Sequence, residues 1–137
     1  MGNQENNLNI AKKWINAMNS HNAELMGSYC TEDAQHREIA EPEPFRGRTG
    51  IIKASKELFN GFPECTSNIT NVFSGDNQVL IEVLWEGTNK GEFKSTPPTG
   101  KKVKIDIGYI LKFEKEKIKE IREYYDGYTV LKQMGLI

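Results

Sequence analysis

Carboxylates, an arginine and two tyrosines crowd the end of the chain, in Lys117-Ile118-Lys119-Glu120-Ile121-Arg122-Glu123-Tyr124-Tyr125-Asp126. In an apolar pocket such groups can move protons. A carboxylate whose pKa is raised by desolvation takes a proton from beside a carbonyl, and a nearby donor holds the enolate that develops. If residues 117 to 125 are a strand, alternation puts Ile118, Glu120, Arg122, Tyr124 and Asp126 on one face. Lys119, Ile121, Glu123 and Tyr125 fall on the other. The first face suits a polar-lined pocket and makes Asp126 the candidate acid/base, with a pKa expected well above the ~3.9 of free aspartate. A blander reading stands beside it, in which Asp126 caps a short following helix and Glu120 and Arg122 are solvated surface charges. A one-residue bulge would also exchange the faces, so the choice among Asp106, Glu120, Glu123 and Asp126 stays open.

His36 is the other candidate proton carrier. Ala34 to Ile39 reads as a short strand with His36 and Glu38 on one face, where the histidine is either a hydrogen-bonded structural residue or part of a pocket. Tyr109, Tyr124, Arg122 and His36 are the candidate enolate donors. The only histidines are His21 and His36, and no spacing of His, Cys and carboxylate resembles a zinc site, so no metal is expected. Cys30 and Cys65 lie far apart without a CxxC pairing, which fits structural thiols in a reducing compartment.

These residues need elements to hold them. Leu8, Ala11, Trp14, Ile15 and Met18 recur at helical spacing, and a shorter helical piece runs from Ala23 to Tyr29. Trp14 and Tyr29 are assigned to the core. Glu41-Pro42-Glu43-Pro44 forces an extended loop. A third helix follows, with Thr49 as its expected N-cap and Ile51, Ile52, Leu58 and Phe59 as its buried stripe, ending at Gly61-Phe62-Pro63. From Thr66 the period becomes two. Two strands are joined at Gly75-Asp76-Asn77, the second carrying Val79, Ile81, Val83 and Trp85 on one face. Residues 88 to 101 make a punctuated loop long enough to cover something. Val103, Ile105, Ile107, Tyr109, Leu111 and Phe113 then alternate strictly.

Taken alone, residues 117 to 125 also fit an amphipathic helix, because Ile118, Ile121 and Tyr125 are three and four apart. Their neighbours decide. With only Glu114-Lys115-Glu116 after the strand, a hairpin return is the economical continuation, although this is poor turn chemistry. The order is helices, then a meander of at least four antiparallel strands, then a short helix. This predicts an α+β fold, one domain over residues 1–137, with N-terminal helices on a strongly curved antiparallel sheet that encloses a pocket.

Composition excludes some partners. Charged residues are 27% of the chain, of mixed sign, and the net charge is -1, so no footprint for nucleic acid or an anionic membrane is visible. No apolar run approaches the roughly 18 residues of a spanning helix, and residues 1 to 9 are polar without a signal-peptide core, so a cytoplasmic protein is expected.

A set of short motifs runs in an order that resembles SnoaL-like proteins, the polyketide-cyclase or ester-cyclase branch of the NTF2-like superfamily. They are Trp14 with Asn22 and Tyr29, the Arg46-Gly47 to Gly50-Ile51 turn, Phe59 with Phe62-Pro63-Glu64, Gly75-Asp76, Trp85 with Gly87-Thr88, and Gly91-Glu92-Phe93. Pro97-Pro98-Thr99-Gly100-Lys101, Phe113-Glu114, Lys117 to Glu120, Asp126 and Leu131-Lys132-Gln133-Met134-Gly135 continue the series. The resemblance implies a cone-shaped α+β fold, commonly a homodimer through the sheet, with a hydrophobic cavity for a small molecule. It implies cofactor-independent aldol-type ring closure with an aspartate acid/base, a role that falls on Asp126. Trp85, Asn89 and Phe93 join His36, Tyr109 and Tyr124 as the implied substrate contacts, with Glu120 and Arg122 beside them. Two positions depart from the pattern: Asn89 stands where relatives often have histidine, and Arg122 where many have tryptophan.

Three functions fit these readings. The first is a cyclase, isomerase or lyase acting on a hydrophobic carbonyl compound. The second is a non-catalytic ligand-binding or sensing module, and the third is an interaction scaffold that uses its dimer face.

Overall fold

The computed structural model describes residues 2–137. The apolar stripe of the first helix, α1 (Gly2–Asn19), buries Ala11, Trp14, Ile15 and Met18 against the sheet. At its end Asn19 imitates a strand: its amide donates to the Ser67 carbonyl at 2.9 Å and accepts from the Ser67 N–H at 2.7 Å. His21 takes a left-handed φ of 55°, which turns the chain into α2 (Ala23–Ser28), and Asn22 caps α2 by accepting from the Leu25 N–H at 3.0 Å. β1 (Cys30–Glu38) is longer than the strand expected from Ala34. After the Pro-rich loop come β2 (Phe45–Arg46) and α3 (Gly47–Gly61). Thr49 is not the N-cap of α3. The N-cap position is three residues earlier, at an extended Arg46, with Gly47 at φ 75° and no side-chain cap.

β3 (Thr66–Gly75), β4 (Gln78–Thr88), β5 (Lys102–Glu114) and β6 (Lys117–Tyr124) form the expected antiparallel meander, and α4 (Gly127–Gln133) follows. The sheet order is β2-β1-β6-β5-β4-β3. β1 runs parallel to β6, so the sheet is mixed where a wholly antiparallel one was expected. It is curved and does not close on itself. The helices cover its concave face, where Ile81, Val83, Leu111, Ile118 and Ile121 are inaccessible to solvent.

The β5–β6 hairpin solves its turn with backbone conformation. Lys115 and Glu116 adopt φ 49° and 65°, the double left-handed pattern of a type I′ turn, which matches the twist of the strands despite the absence of glycine. Just beyond it, Phe113 pairs with Ile118 and Lys112 with Glu120, which leaves Lys119 as an extra residue. This bulge resets the alternation. Ile118 and Ile121 both point inward although three positions apart, and Glu123 and Tyr125 follow Ile121 to the concave side.

Candidate functional site

The concave face and the helices above it enclose a cavity of about 100 Å³. Most of its wall is apolar: Trp14 and Met18 from α1, Leu58 from α3, Trp85 from β4, Ile105 and Ile107 from β5. One row across the sheet introduces its polar groups, to which α3 adds Ser55 and Glu57 and the loop after β4 adds Lys94. Strand register places Ile81 beside Tyr109, Tyr109 beside Glu123, and Glu123 beside Glu38. His36, two positions before Glu38, shares its face.

Within this cluster His36 Nε2 lies 2.7 Å from Glu123 Oε1, and the two side chains are 13% and 12% exposed. A ring nitrogen and a carboxylate oxygen at that distance hold one proton between them. The Tyr125 hydroxyl donates to Glu38 Oε1 at 2.8 Å. Lys94 donates to Glu38 Oε1 at 3.1 Å and to Glu41 Oε1 at 2.8 Å. Burial pushes the Glu123 carboxyl above its ordinary value, and this outweighs the opposing hydrogen bond from His36. Burial alone would lower the Lys94 ammonium, but Glu38 and Glu41 together leave it raised. Tyr109 and Tyr125 are pushed well up, first by burial and then by the carboxylates facing them, so both remain protonated donors.

The loop after β4 completes the wall. Asn89 is fully buried and donates to the carbonyls of Gly61 at 3.2 Å and Gly91 at 2.9 Å, while its Oδ1 accepts from the Thr99 N–H at 2.7 Å. Gly91 is required where it stands, because a Cβ there would collide with the Asn60 carbonyl oxygen. Lys94 and Ser95, at φ 48° and 63°, turn the chain between Phe93 and Thr96. Phe93 thereby enters the cavity wall and Lys94 reaches Glu38.

Two groups in the wall lack ordinary partners. Trp14 is 0% exposed and its indole N–H has no acceptor. Leaving such a donor unpaired costs about 1–3 kcal/mol. The Tyr109 hydroxyl is 4.0 Å from the Met18 sulfur, a weak acceptor.

The SnoaL-like polyketide cyclase family model matches residues 9–134. The chain belongs to the SnoaL-like polyketide cyclase family. No curated protein matches the sequence significantly. Solved structures share the fold at low identity. A candidate SnoaL-like polyketide cyclase from Jannaschia sp. CCS1 is 17% identical, with 98% of this chain and 94% of that chain covered and a TM-score of 0.89. IdmH from Streptomyces antibioticus, a candidate polyketide cyclase, is 22% identical over 94% of this chain and 98% of that one, with a TM-score of 0.78. A hypothetical protein from Catenulispora acidiphila with a ketosteroid isomerase-like fold, solved in complex with trimethylamine, is 22% identical over 93% of each chain, with a TM-score of 0.81.

In this SnoaL-like chain His36, Trp85, Phe93 and Tyr109 stand in the cavity wall. The other sequence-predicted site residues stand elsewhere. Asn89 secures the loop from behind the wall. Glu120, Arg122 and Tyr124 lie on the convex face, where Arg122 Nε donates to the Tyr124 hydroxyl at 3.1 Å and Glu120 lies 3.5 Å from Lys112. Asp126 is exposed and caps α4: Oδ1 accepts from the Thr129 N–H at 3.2 Å and Oδ2 from the Thr129 hydroxyl at 2.7 Å. Those bonds hold its carboxyl below the ordinary value, the opposite of the expected direction. The largely buried pocket carboxylates are instead Glu123, one of the four acids left open by the sequence, and Glu38, which shares the face of His36. Exposed Glu57 lines the cavity too, and Lys94, Tyr125 and Trp14, which sequence reasoning did not place in the site, join them. One signal for Glu123 was available. Ile118 and Ile121 cannot both be buried on a regular strand, so a hairpin through them demands a bulge and the exchanged face.

The ligand atoms of His36, Glu38 and Glu123 lie within 4.8 Å of one another, the grouping a metal ion would need. The donor set suits an ion poorly. His36 is engaged with Glu123, and the Lys94 ammonium already neutralises Glu38. A shallower depression of about 800 Å³ beside α3 is lined by groups of both signs, among them the exposed Lys56–Glu24 ion pair at 2.6 Å. It gathers no comparable cluster. Among the described residues no helix is long and apolar enough to cross a membrane.

Proposed function

We propose that the cavity is an active site for cofactor-independent acid/base chemistry of cyclase, isomerase or lyase type on a compact carbonyl compound. Glu123, in place of the sequence-favoured Asp126, is the carboxylate that moves the proton. The observation that carries this reading is the His36–Glu123 pair, 2.7 Å apart in the wall of a largely apolar cavity. Glu123 as carboxylate removes a proton from the carbon next to the carbonyl, and Tyr109, its neighbour across the ladder, stabilises the oxygen that becomes negative. The proton then returns to carbon from Glu123, with His36 orienting the carboxyl throughout. Size narrows the substrate. Pockets for drug-sized ligands measure roughly 300–1,000 Å³, so a cavity of about 100 Å³ suits a single ring or a short chain.

The test is solvent exchange. In D2O, cyclohexanone should lose its α-protons faster with the protein than with buffer, followed by proton NMR. Glu123→Gln should slow the catalysed exchange at least about 100-fold. Because the carboxylate is the working form, the rate should fall as pH drops through a pKa above 4.5, the ordinary glutamate value. A wild-type rate equal to buffer, with ketone bound, would remove the catalytic reading.

A ligand-binding module is the second reading, and one observation favours it. The Catenulispora relative was solved with trimethylamine, and aromatic walls beside two carboxylates suit a compact organic cation. In either case the reading includes a homodimer through the convex face, where Phe73, Leu80 and Ile110 align across three strands and Phe73 is 65% exposed. It also includes a cytoplasmic setting, supported by free, buried Cys30 and Cys65, whose thiols burial pushes up to about 11.

A further inference from the structure

We propose that Trp14 and Tyr109 form an oxygen-binding site in the cavity that selects a neutral ligand with a carbonyl or similar acceptor oxygen. The substrate class it names rests on the acid/base reading above, while the oxygen site itself does not require turnover.

Apart from Glu57, an exposed α3 carboxylate that also lines the cavity, the polar groups of the wall fall into two sets. His36, Glu123, Glu38, Tyr125 and Lys94 are engaged with one another. Ser55, also in the wall, donates to the Ile51 carbonyl at 3.0 Å. The Trp14 indole and the Tyr109 hydroxyl have no strong acceptor, although Trp14 is 0% and Tyr109 3% exposed. Buried tryptophan and tyrosine ordinarily find a partner, and an orphaned donor points to a group absent from the protein itself. At position 109 a phenylalanine would fill the same space without that penalty. Both unengaged buried groups are donors. What they lack is an acceptor, and an ammonium ion cannot supply one.

The two side chains also belong together. Their rings meet edge to face with centroids 5.0 Å apart and an interplanar angle of 86°, α1 supplying one and β5 the other. Tyr109 is the register neighbour of Glu123, so an oxygen held at its hydroxyl brings the adjacent carbon toward the carboxylate. Charge completes the selection. Glu38 and Glu123 face Tyr109 and raise the cost of a negative ligand, while the neutral donors give nothing to a positive one. A neutral ketone, ester or lactone meets all three conditions.

Two probes of nearly equal shape test this: cyclohexanone and methylenecyclohexane, which carries CH2 where the ketone carries oxygen. The reporter is the indole N–H signal of Trp14 in a proton–nitrogen NMR spectrum, told from that of Trp85 by Trp14→Phe. The ketone should move the Trp14 signal downfield in a saturable way and bind about tenfold more tightly than the hydrocarbon. Tyr109→Phe should weaken ketone binding several-fold and leave hydrocarbon binding unchanged, and Trp14→Phe should lower the ratio of ketone to hydrocarbon affinity several-fold. Equal affinity for the two probes, an unmoved indole signal while ketone binds, or no saturable ketone binding would each overturn the proposal. If Trp14→Phe fails to fold, the wild-type titration and Tyr109→Phe still decide. Ketone binding with the indole shift but without α-proton exchange would remove only the acid/base reading.

Discussion

Glu123 and Asp126 are three positions apart and behave as opposite acids. Desolvation beside His36 pushes one up, whereas Thr129 hydrogen bonds and open solvent hold the other down. Composition cannot separate them, because both stand in the same run of charges and tyrosines. Asp126→Asn should therefore leave α-proton exchange at the wild-type rate and keep α4 capped, asparagine being as good a cap. Asp126→Ala should lower the melting temperature without abolishing exchange. The stabilising effect of Asp126 is present above its ordinary pKa of 3.8 and is lost as the pH falls through the lowered folded value. The Asp126→Ala deficit should shrink accordingly in acid, which thermal melts across that range would measure. Trp85, Phe93 and Tyr109 were legible as pocket residues from alternation and motif. Lys94 was not, since its partner Glu38 is 56 residues away and only the folded loop brings them together.

The strands show where periodicity works and where it fails. β4 and β5 alternate so regularly that their buried faces were readable residue by residue, and the helices followed from apolar spacing. The parallel β1–β6 pairing was illegible because it joins segments about 85 residues apart, and nothing local records it. The bulge at Lys119 decides the chemistry of β6. Since Lys119 and Glu120 together oppose Lys112, deleting Lys119 should yield a regular ladder and keep Ile118, Ile121 and Glu123 inward. Exchange activity should survive that deletion. Deleting Arg122 should instead turn Glu123 outward and abolish exchange in a protein that still folds, with circular dichroism confirming the fold in both.

The α+β layout and the helix-covered concave face were readable from element order. The open form of the sheet was not, because closure depends on strand number and curvature together. An open sheet has a convex face and two edges. If the convex row of Phe73, Leu80 and Ile110 is a dimer contact, Phe73→Glu should convert dimer to monomer in sedimentation velocity while α-proton exchange persists. The edges are handled differently. At one end β2 is two residues long and offers little backbone. At the other, β3 pairs Ile69 with Val83 and Asn71 with Glu82, so Thr70 is an extra residue that interrupts its outer rim. Neither margin presents a long, flat row of free amides and carbonyls, so the sheet ends without templating the addition of further strands, and growth into cross-β fibres is blocked where an uncovered sheet is most exposed to it.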